Sequence, residues 1–335
     1  MKGFILTLLI LLCKPVRADF SRQECLNVDY SHRFGPVRDQ DGHGYCWAFV
    51  ASALAEESFC KLNRVNCGKS VSPLDISRCD WTLATESEGG SFQGALYCGM
   101  ESGVCNESHA PYDALRSWGC TMRQLIVFRS NRCDRDILKG LYTEWEQAEN
   151  RCEQDGVISS QERQNLQRIQ ARLIEDLRAR VPARLLQGRN VSELFTGSAS
   201  ADNFLRRTLI GKSCEENRRR IPGSRIDSVP DSAQFSRGAI RQNLNAILQG
   251  LSRNSSVAIG VDLGRTKLNT VLGGLVTAYG KDSNHGLVIT GMRWNRQASK
   301  CEVNLRNSWG VGADFNGWTK VSDIEGGLKY SSYIQ

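Results

Sequence analysis

The 335 residues are 40% hydrophobic and 24% charged, a balance that excludes a disordered chain or one long coiled coil and leaves length for about two domains. A formal charge of +7 raises nucleic acid as a partner, but most of the excess sits between Cys120 and Arg225, where about twenty Lys and Arg face about fourteen Asp and Glu. Mixed charge of that kind reads as a solvated helical face, and no basic stretch is interleaved with aromatic residues, so no nucleic-acid partner is expected.

The chain opens with Met1 and Lys2, an apolar run from Phe4 to Leu12, and Val16-Arg17-Ala18, a pattern that predicts a signal peptide over 1–18. The apolar run has nine residues against about 20 for a membrane-spanning helix, so no stable membrane anchor is expected. Thirteen cysteines behind an export signal predict disulfides and an oxidising destination: secreted and extracellular, or a periplasmic or lysosome-like compartment. Setting aside Cys13 and a reactive Cys46 leaves an odd number, so at least one further thiol stays free or pairs outside the chain.

From Gly35 to Tyr45 the sequence is rich in glycine and polar residues and reads as a loop. From Trp47 to Cys60, Phe49, Ala53, Leu54 and Phe59 fall at helical spacing. Cys46 therefore sits at a helix start, where unpaired N–H groups and the helix dipole are expected to lower its pKa and favour a thiolate. Further on, Ile137, Leu138, Leu141, Trp145 and Ala148 predict one amphipathic helix, and Leu166, Ile169, Leu173, Leu177, Val181 and Leu185 another. Ser159 with Glu162 makes a capping box that starts the second and puts the turn near residues 154–158. Cys133 and Cys152 flank the first helix about 28 Å apart; neither can bridge to the other, and Cys120 and Cys214 are candidate partners.

Residues 151–162 share the phasing of a calcium loop, with Gly156, Ile158 and Glu162 in place. Arg151 stands where the first acidic ligand belongs, so a capped helical hairpin is expected and no metal. Asn106, Asn190 and Asn254 lie in Asn-x-Ser triplets that mark surface loops.

A nucleophile needs a base and a group that orients the base. The four histidines are His32, His43, His109 and His285. His285 precedes the β-branched run Leu287 to Thr290, which reads as a buried strand, and Asn307 ends another short strand. An asparagine accepting the imidazole N–H fixes the tautomer that faces sulfur. Trp309 is placed to shield that bond from water.

Gln40, Cys46-Trp47-Ala48-Phe49, Gly89-Gly90, Asn284-His285-Gly286 and Asn307-Ser308-Trp309-Gly310 occur in the order that the papain family shows, and the chain resembles that family; Cys46 to Cys60 looks closest to its cathepsin B branch. The resemblance implies an α+β, two-lobed fold, with a largely helical left lobe and a β-barrel-like right lobe around an active-site cleft. It implies Cys46 as nucleophile, His285 as general base and then acid, Asn307 as orienter, and Gln40 with the Cys46 N–H as oxyanion hole. Losing one such donor typically costs about 100- to 1000-fold in rate. Gly89 and Gly90 are implied to let substrate backbone lie close, with Trp309 also at the substrate site. The reaction implied is peptide-bond hydrolysis through a thioester on protein or peptide substrates, without cofactor or metal.

The family's histidine and asparagine lie about 130 to 150 residues past the cysteine, whereas His285 follows Cys46 by 239 residues. An insertion is required, and the expected organisation is 19–119 for the left lobe, 120–222 for a charged helical insertion and 223–335 for the right lobe. The insertion is expected to cover the cleft or contact a partner. His43 stands where the family has a disulfide cysteine, and Cys79 matches that cysteine's partner. Residues 19–34 are too short for the family's inhibitory pro-segment. Two other classes fit less of the sequence: a non-catalytic papain-like binding protein, and an amidase for cell-wall or small amides.

Overall fold

The computed structural model describes residues 20–40, 44–63, 67–79, 90–113, 134–154, 159–181, 183–198, 200–230, 235–267, 284–310 and 316–335. The expected signal peptide, Gly89, His43 and most of the calcium-loop turn lie outside these residues.

Helix α1, Cys46–Leu62, is the axis of the molecule. It is apolar or small on nearly every face, and every residue from Trp47 to Cys60 is buried, as befits a helix packed on more than one side. One side meets the short helix α2, Pro73–Ile76, and helix α3, Phe92–Ser102; another meets strand β4, Asn284–Asn295. Each short helix has a serine N-cap: Ser72 accepts from the Asp75 N–H and Ser91 from the Gly94 N–H.

The strands form one antiparallel sheet. In chain order they are β1, Val28–Asp29; β2, Ile226–Val229; β3, Val257–Asp262; β4; β5, Lys300–Arg306; β6, Gly317–Lys320; and β7, Leu328–Ile334. The spatial order is β2-β7-β3-β4-β5-β6, with β1 also paired to β4. Strand β4 is buried from His285 to Met292, the buried run expected after His285. Helix α10, Arg237–Ser252, covers the sheet beside β7, and its Leu244, Ile247 and Leu251 join Val257, Ile259, Leu287 and Ile289 in one core. A second core takes most of α1 and α3 together with the helices between residues 134 and 216. Two cores, one centred on helices and one on the sheet, give the α+β, two-lobed arrangement expected. Among the described residues no bond pairs β2 with β6 to close the sheet.

The hairpin of residues 134–180 forms as its periodicity predicts. Helix α4, Asp134–Gln154, packs along α5, Ser160–Arg180. The Ser159 hydroxyl accepts from the Glu162 N–H at 3.2 Å, and Glu162 accepts from the Ser159 N–H at 2.8 Å, a complete capping box. The predicted second helix ran on to Leu185, but α5 stops at Arg180. Val181 precedes Pro182 and is extended at φ −98°, ψ 128°, because a proline ring disfavours helical geometry in the residue before it. Four short helices follow: α6, Ala183–Leu186; α7, Val191–Thr196; α8, Ala201–Leu209; and α9, Lys212–Glu216. Asn190 caps α7 by accepting from the Ser192 N–H at 3.1 Å.

This helical excursion returns to the body at a narrow neck. Cys214, in α9, is disulfide-bonded to Cys105 just beyond α3, which removes it as a candidate partner for Cys133 or Cys152. Val104 and Arg219 bridge antiparallel, and His109 Nδ1 lies 2.7 Å from the Ser213 hydroxyl. Asp75, fully buried, accepts from the Cys105 N–H at 2.9 Å and from Arg218 at 2.7 Å. Two further disulfides join Cys25 to Cys301 and Cys60 to Cys67, and Cys98 is also disulfide-bonded.

Candidate active site

Cys46 is the first residue of α1, after Tyr45, whose side chain makes no capping bond. Its sulfur is the one free thiol among the described residues. It opens onto a cavity of about 510 Å³, with Trp47, Gly90 and Phe92 on the helical side and His285, Gly286 and Tyr330 on the sheet side. Gly286 is what allows α1 to lie so close to β4. A Cβ there would sit 3.0 Å from Val50 Cγ2 and 3.4 Å from the Cys46 carbonyl oxygen, closer than ordinary packing. Gly90 lies against Trp47 in the same way, where a Cβ would come within 2.4 Å of the indole.

Hydrogen bonding fixes the state of His285. Its Nε2 lies 2.7 Å from Asn307 Oδ1, and the same oxygen accepts from the Ser308 N–H at 2.7 Å. An atom that accepts from a backbone N–H is the carboxamide oxygen and not its nitrogen. Nε2 therefore carries the proton, which leaves Nδ1 bare. The Trp309 ring lies 4.4 Å from the imidazole, tilted by 30°, and covers it as expected. The Asn307 N–H donates in turn to Asn316 Oδ1 at 2.8 Å.

Gln40 is buried and joined to the same strand end. Its N–H donates to the Ser308 carbonyl at 2.7 Å, the Ser308 hydroxyl donates to its Oε1, and its own carbonyl accepts from the Tyr112 hydroxyl at 3.0 Å. Asp39 bridges antiparallel to Trp309, and the Gly310 N–H donates to the Arg38 carbonyl at 3.1 Å. Residues 38–40 and 308–310 thus form a strap between segments about 270 positions apart, and it fixes Gln40 relative to Asn307.

The expectation of a lowered Cys46 pKa is corrected. Burial pushes the thiol up, and this outweighs the N–H groups of Gly286, Trp47 and Cys46 itself, which pull it down. Burial likewise pushes His285 down to about 4, against the upward pull of Asn307. Burial thus disfavours the charged form of each, and the two side chains line one cavity.

Other sequence candidates fall elsewhere. His109 is half-buried at the neck, against Ser213. Cys105 and Cys214 lie near Asp75, but their sulfurs are bonded to one another and offer no thiolate to a metal. None of the described residues of 134–222 lines the cleft. Ser308 and Asn316 were not singled out from sequence, since polar residues around Trp309 carry no local signal of what they hold.

A bare imidazole nitrogen, a free thiol at a helix start and a strapped carboxamide on one cleft define the class of a cysteine-type hydrolase. A family model described as papain family cysteine protease matches residues 24–181, a little under half of the chain, and supports a cysteine-type peptidase. None of the curated proteins compared with the chain matches it. Among solved structures, digestive procathepsin L 3 of the Tenebrio molitor larval midgut is similar at 15% identity and a TM-score of 0.46, over 96% of this chain and 71% of that one. The ragweed pollen allergen Amb a 11, a cysteine protease in its proform, is similar at 15% identity and a TM-score of 0.44, over 92% of this chain and 64% of that one. Neither name carries the cathepsin B likeness of residues 46–60.

Proposed function

We propose that the chain is a secreted peptidase that cleaves peptide bonds through Cys46, His285 and Asn307. The observation that carries this reading is the His285–Asn307–Ser308 arrangement, which leaves Nδ1 as the basic nitrogen on a cleft shared with Cys46.

In this mechanism the substrate carbonyl enters beside Cys46. The thiol proton passes to His285 Nδ1 as sulfur attacks, and the imidazolium keeps its Nε2–H on Asn307. The oxyanion takes hydrogen bonds from the Gln40 carboxamide nitrogen and the Cys46 N–H. His285 then gives its proton to the departing amine, leaving a thioester. Water, deprotonated by Nδ1, releases the acid and restores the thiol. Gly90 and the cleft wall beside it hold substrate backbone, with Trp309 guarding the base. The disulfides, Cys25–Cys301, Cys60–Cys67 and Cys105–Cys214 among them, suit an oxidising compartment, and among the described residues no helix is long and apolar enough to cross a membrane. The lobes run over 19–119 and 223–335, with 120–222 as the insertion.

The test is the full chain and Cys46→Ala, each incubated with unfolded protein, short peptides and cell-wall fragments, alongside labelling by a thiol-directed epoxide. Peptide turnover by the wild type alone, with Cys46 carrying the label, is expected. A labelled Cys46 without turnover of peptides would defeat the reading.

A further inference from the structure

A second cavity, about 590 Å³, lies at the neck, between the turn carrying Arg78, the end of α3, and helices α8 and α9; it shares no lining residue with the catalytic cleft. Its polar lining is dominated by the guanidinium groups of Arg78, Arg207 and Arg218, with Asn203 beside them and Glu215 as the one carboxylate.

The lining arginines differ in how they are partnered among the described residues. Arg78 and Arg218 share the buried Asp75, at 3.4 and 2.7 Å. Glu215 is held by Arg189 at 3.3 Å, and the Arg189 side chain is 7% exposed. Arg207 meets no carboxylate among the described residues; its contacts are the Leu194 carbonyl at 3.5 Å and the Ser198 hydroxyl at 3.3 Å. Among the described residues Arg207 is therefore the lining guanidinium with no carboxylate partner. The Nε of Arg189 is buried without a hydrogen-bond partner. Burial holds the Arg189 pKa below the usual arginine range, Glu215 pulls it up, and Arg207 and Arg218 push it down again, so Arg189 feels the two lining guanidinium groups from behind the wall.

We propose that this cavity binds a tetrahedral oxyanion, phosphate or sulfate, free or carried as the ester of a small molecule. Several planar guanidinium groups around one space suit an oxyanion with multiple acceptors, and the volume lies in the range of small-molecule sites and exceeds the need of a bare ion. Because Arg78 belongs to the body and Arg207 to the excursion, a bound anion would tie the two together at the neck and stabilise the excursion's seating.

Thermal melts of the full chain at constant ionic strength, with sodium chloride as the reference, provide the test. Inorganic phosphate, inorganic sulfate, glucose 6-phosphate and glucose 6-sulfate are titrated separately, and the one that saturates at lowest concentration identifies the source. A saturable rise in melting temperature beyond that of chloride is expected for at least one. Asn203→Asp, which places a carboxylate in the cavity, and Arg207→Gln are expected to weaken that response about tenfold or more. Should Arg207→Gln fail to fold, Asn203→Asp decides alone. A response to all four probes no greater than to chloride overturns the proposal, as does an unchanged response in Asn203→Asp. Turnover by Cys46 is measured in parallel and does not enter the outcome, so failure here is separate from failure of the peptidase reading.

Discussion

Burial and hydrogen bonding pull His285 in opposite directions. At 5% exposure it loses hydration, which lowers its pKa to about 4, while the Asn307 carboxamide stabilises the charged form and raises it. Asn307→Ala removes the upward pull. The acid limb of kcat/KM, which rises as the imidazole becomes neutral near pH 4 in the wild type, is expected to move to lower pH in the variant, while kcat falls because the tautomer is no longer held. A limb that moves to higher pH would contradict this account. The same depression bears on stability. The unfolded chain binds a proton at the ordinary histidine value near 6.5 and the folded chain does not until about 4, so this contribution is full above about 6.5 and is lost as pH falls toward 4. At this scale the sequence was legible in kind and not in state. Cys46 stands at a helix start and His285 is bonded to Asn307, placements their neighbours suggest, but the pKa of Cys46 is raised by burial among chain segments far away, which a helix-start argument does not contain.

At the scale of elements, α1 owes its setting to buried charge as well as to apolar packing. Glu56, 1% exposed, meets Arg38 at 2.7 Å; Arg38 also reaches Glu107 at 3.0 Å, the Ser52 hydroxyl and the Val71 carbonyl. Arg38 stands in the segment that carries Gln40 and accepts from Gly310, so one side chain fastens the loop before the nucleophile to α1 from behind. His43 occupies the place of the family's usual disulfide cysteine, and this ion-pair network supplies anchorage nearby. Arg38→Met strands Glu56 and Glu107, and urea unfolding is expected to show a loss of about 3–5 kcal/mol; loss below about 1 kcal/mol would mean that the network carries little. Arg38→Lys is expected to recover only part of it, since one ammonium cannot serve acceptors on both sides as a guanidinium fork does. The elements themselves were largely readable. The hairpin, its capping box and the buried strand after His285 follow from periodicity and local chemistry, whereas periodicity carried α5 past Pro182 and missed its end at Arg180. The strap between 38–40 and 308–310 was not readable, because pairing across about 270 residues leaves no mark in either segment alone.

For the whole molecule, the neck decides how the helical excursion is carried. The Cys105–Cys214 disulfide closes a loop of 109 residues, and a cross-link over that length restricts the unfolded chain by about 4–5 kcal/mol. The double variant Cys105→Ala with Cys214→Ala is expected to lose stability of that order in urea unfolding, with Asp75 and its arginines keeping the excursion attached; an unchanged midpoint would place the closure energy elsewhere. Covalent connectivity has a further consequence. Cys25 and Cys105 precede the excursion's helices, while Cys214 and Cys301 lie at or beyond its return, and the two disulfides pair one from each side. A backbone cut anywhere between Cys105 and Cys214 would therefore yield two polypeptides, the first bearing Cys46 and Gln40 and the second His285 and Asn307, still held as one molecule until reduced.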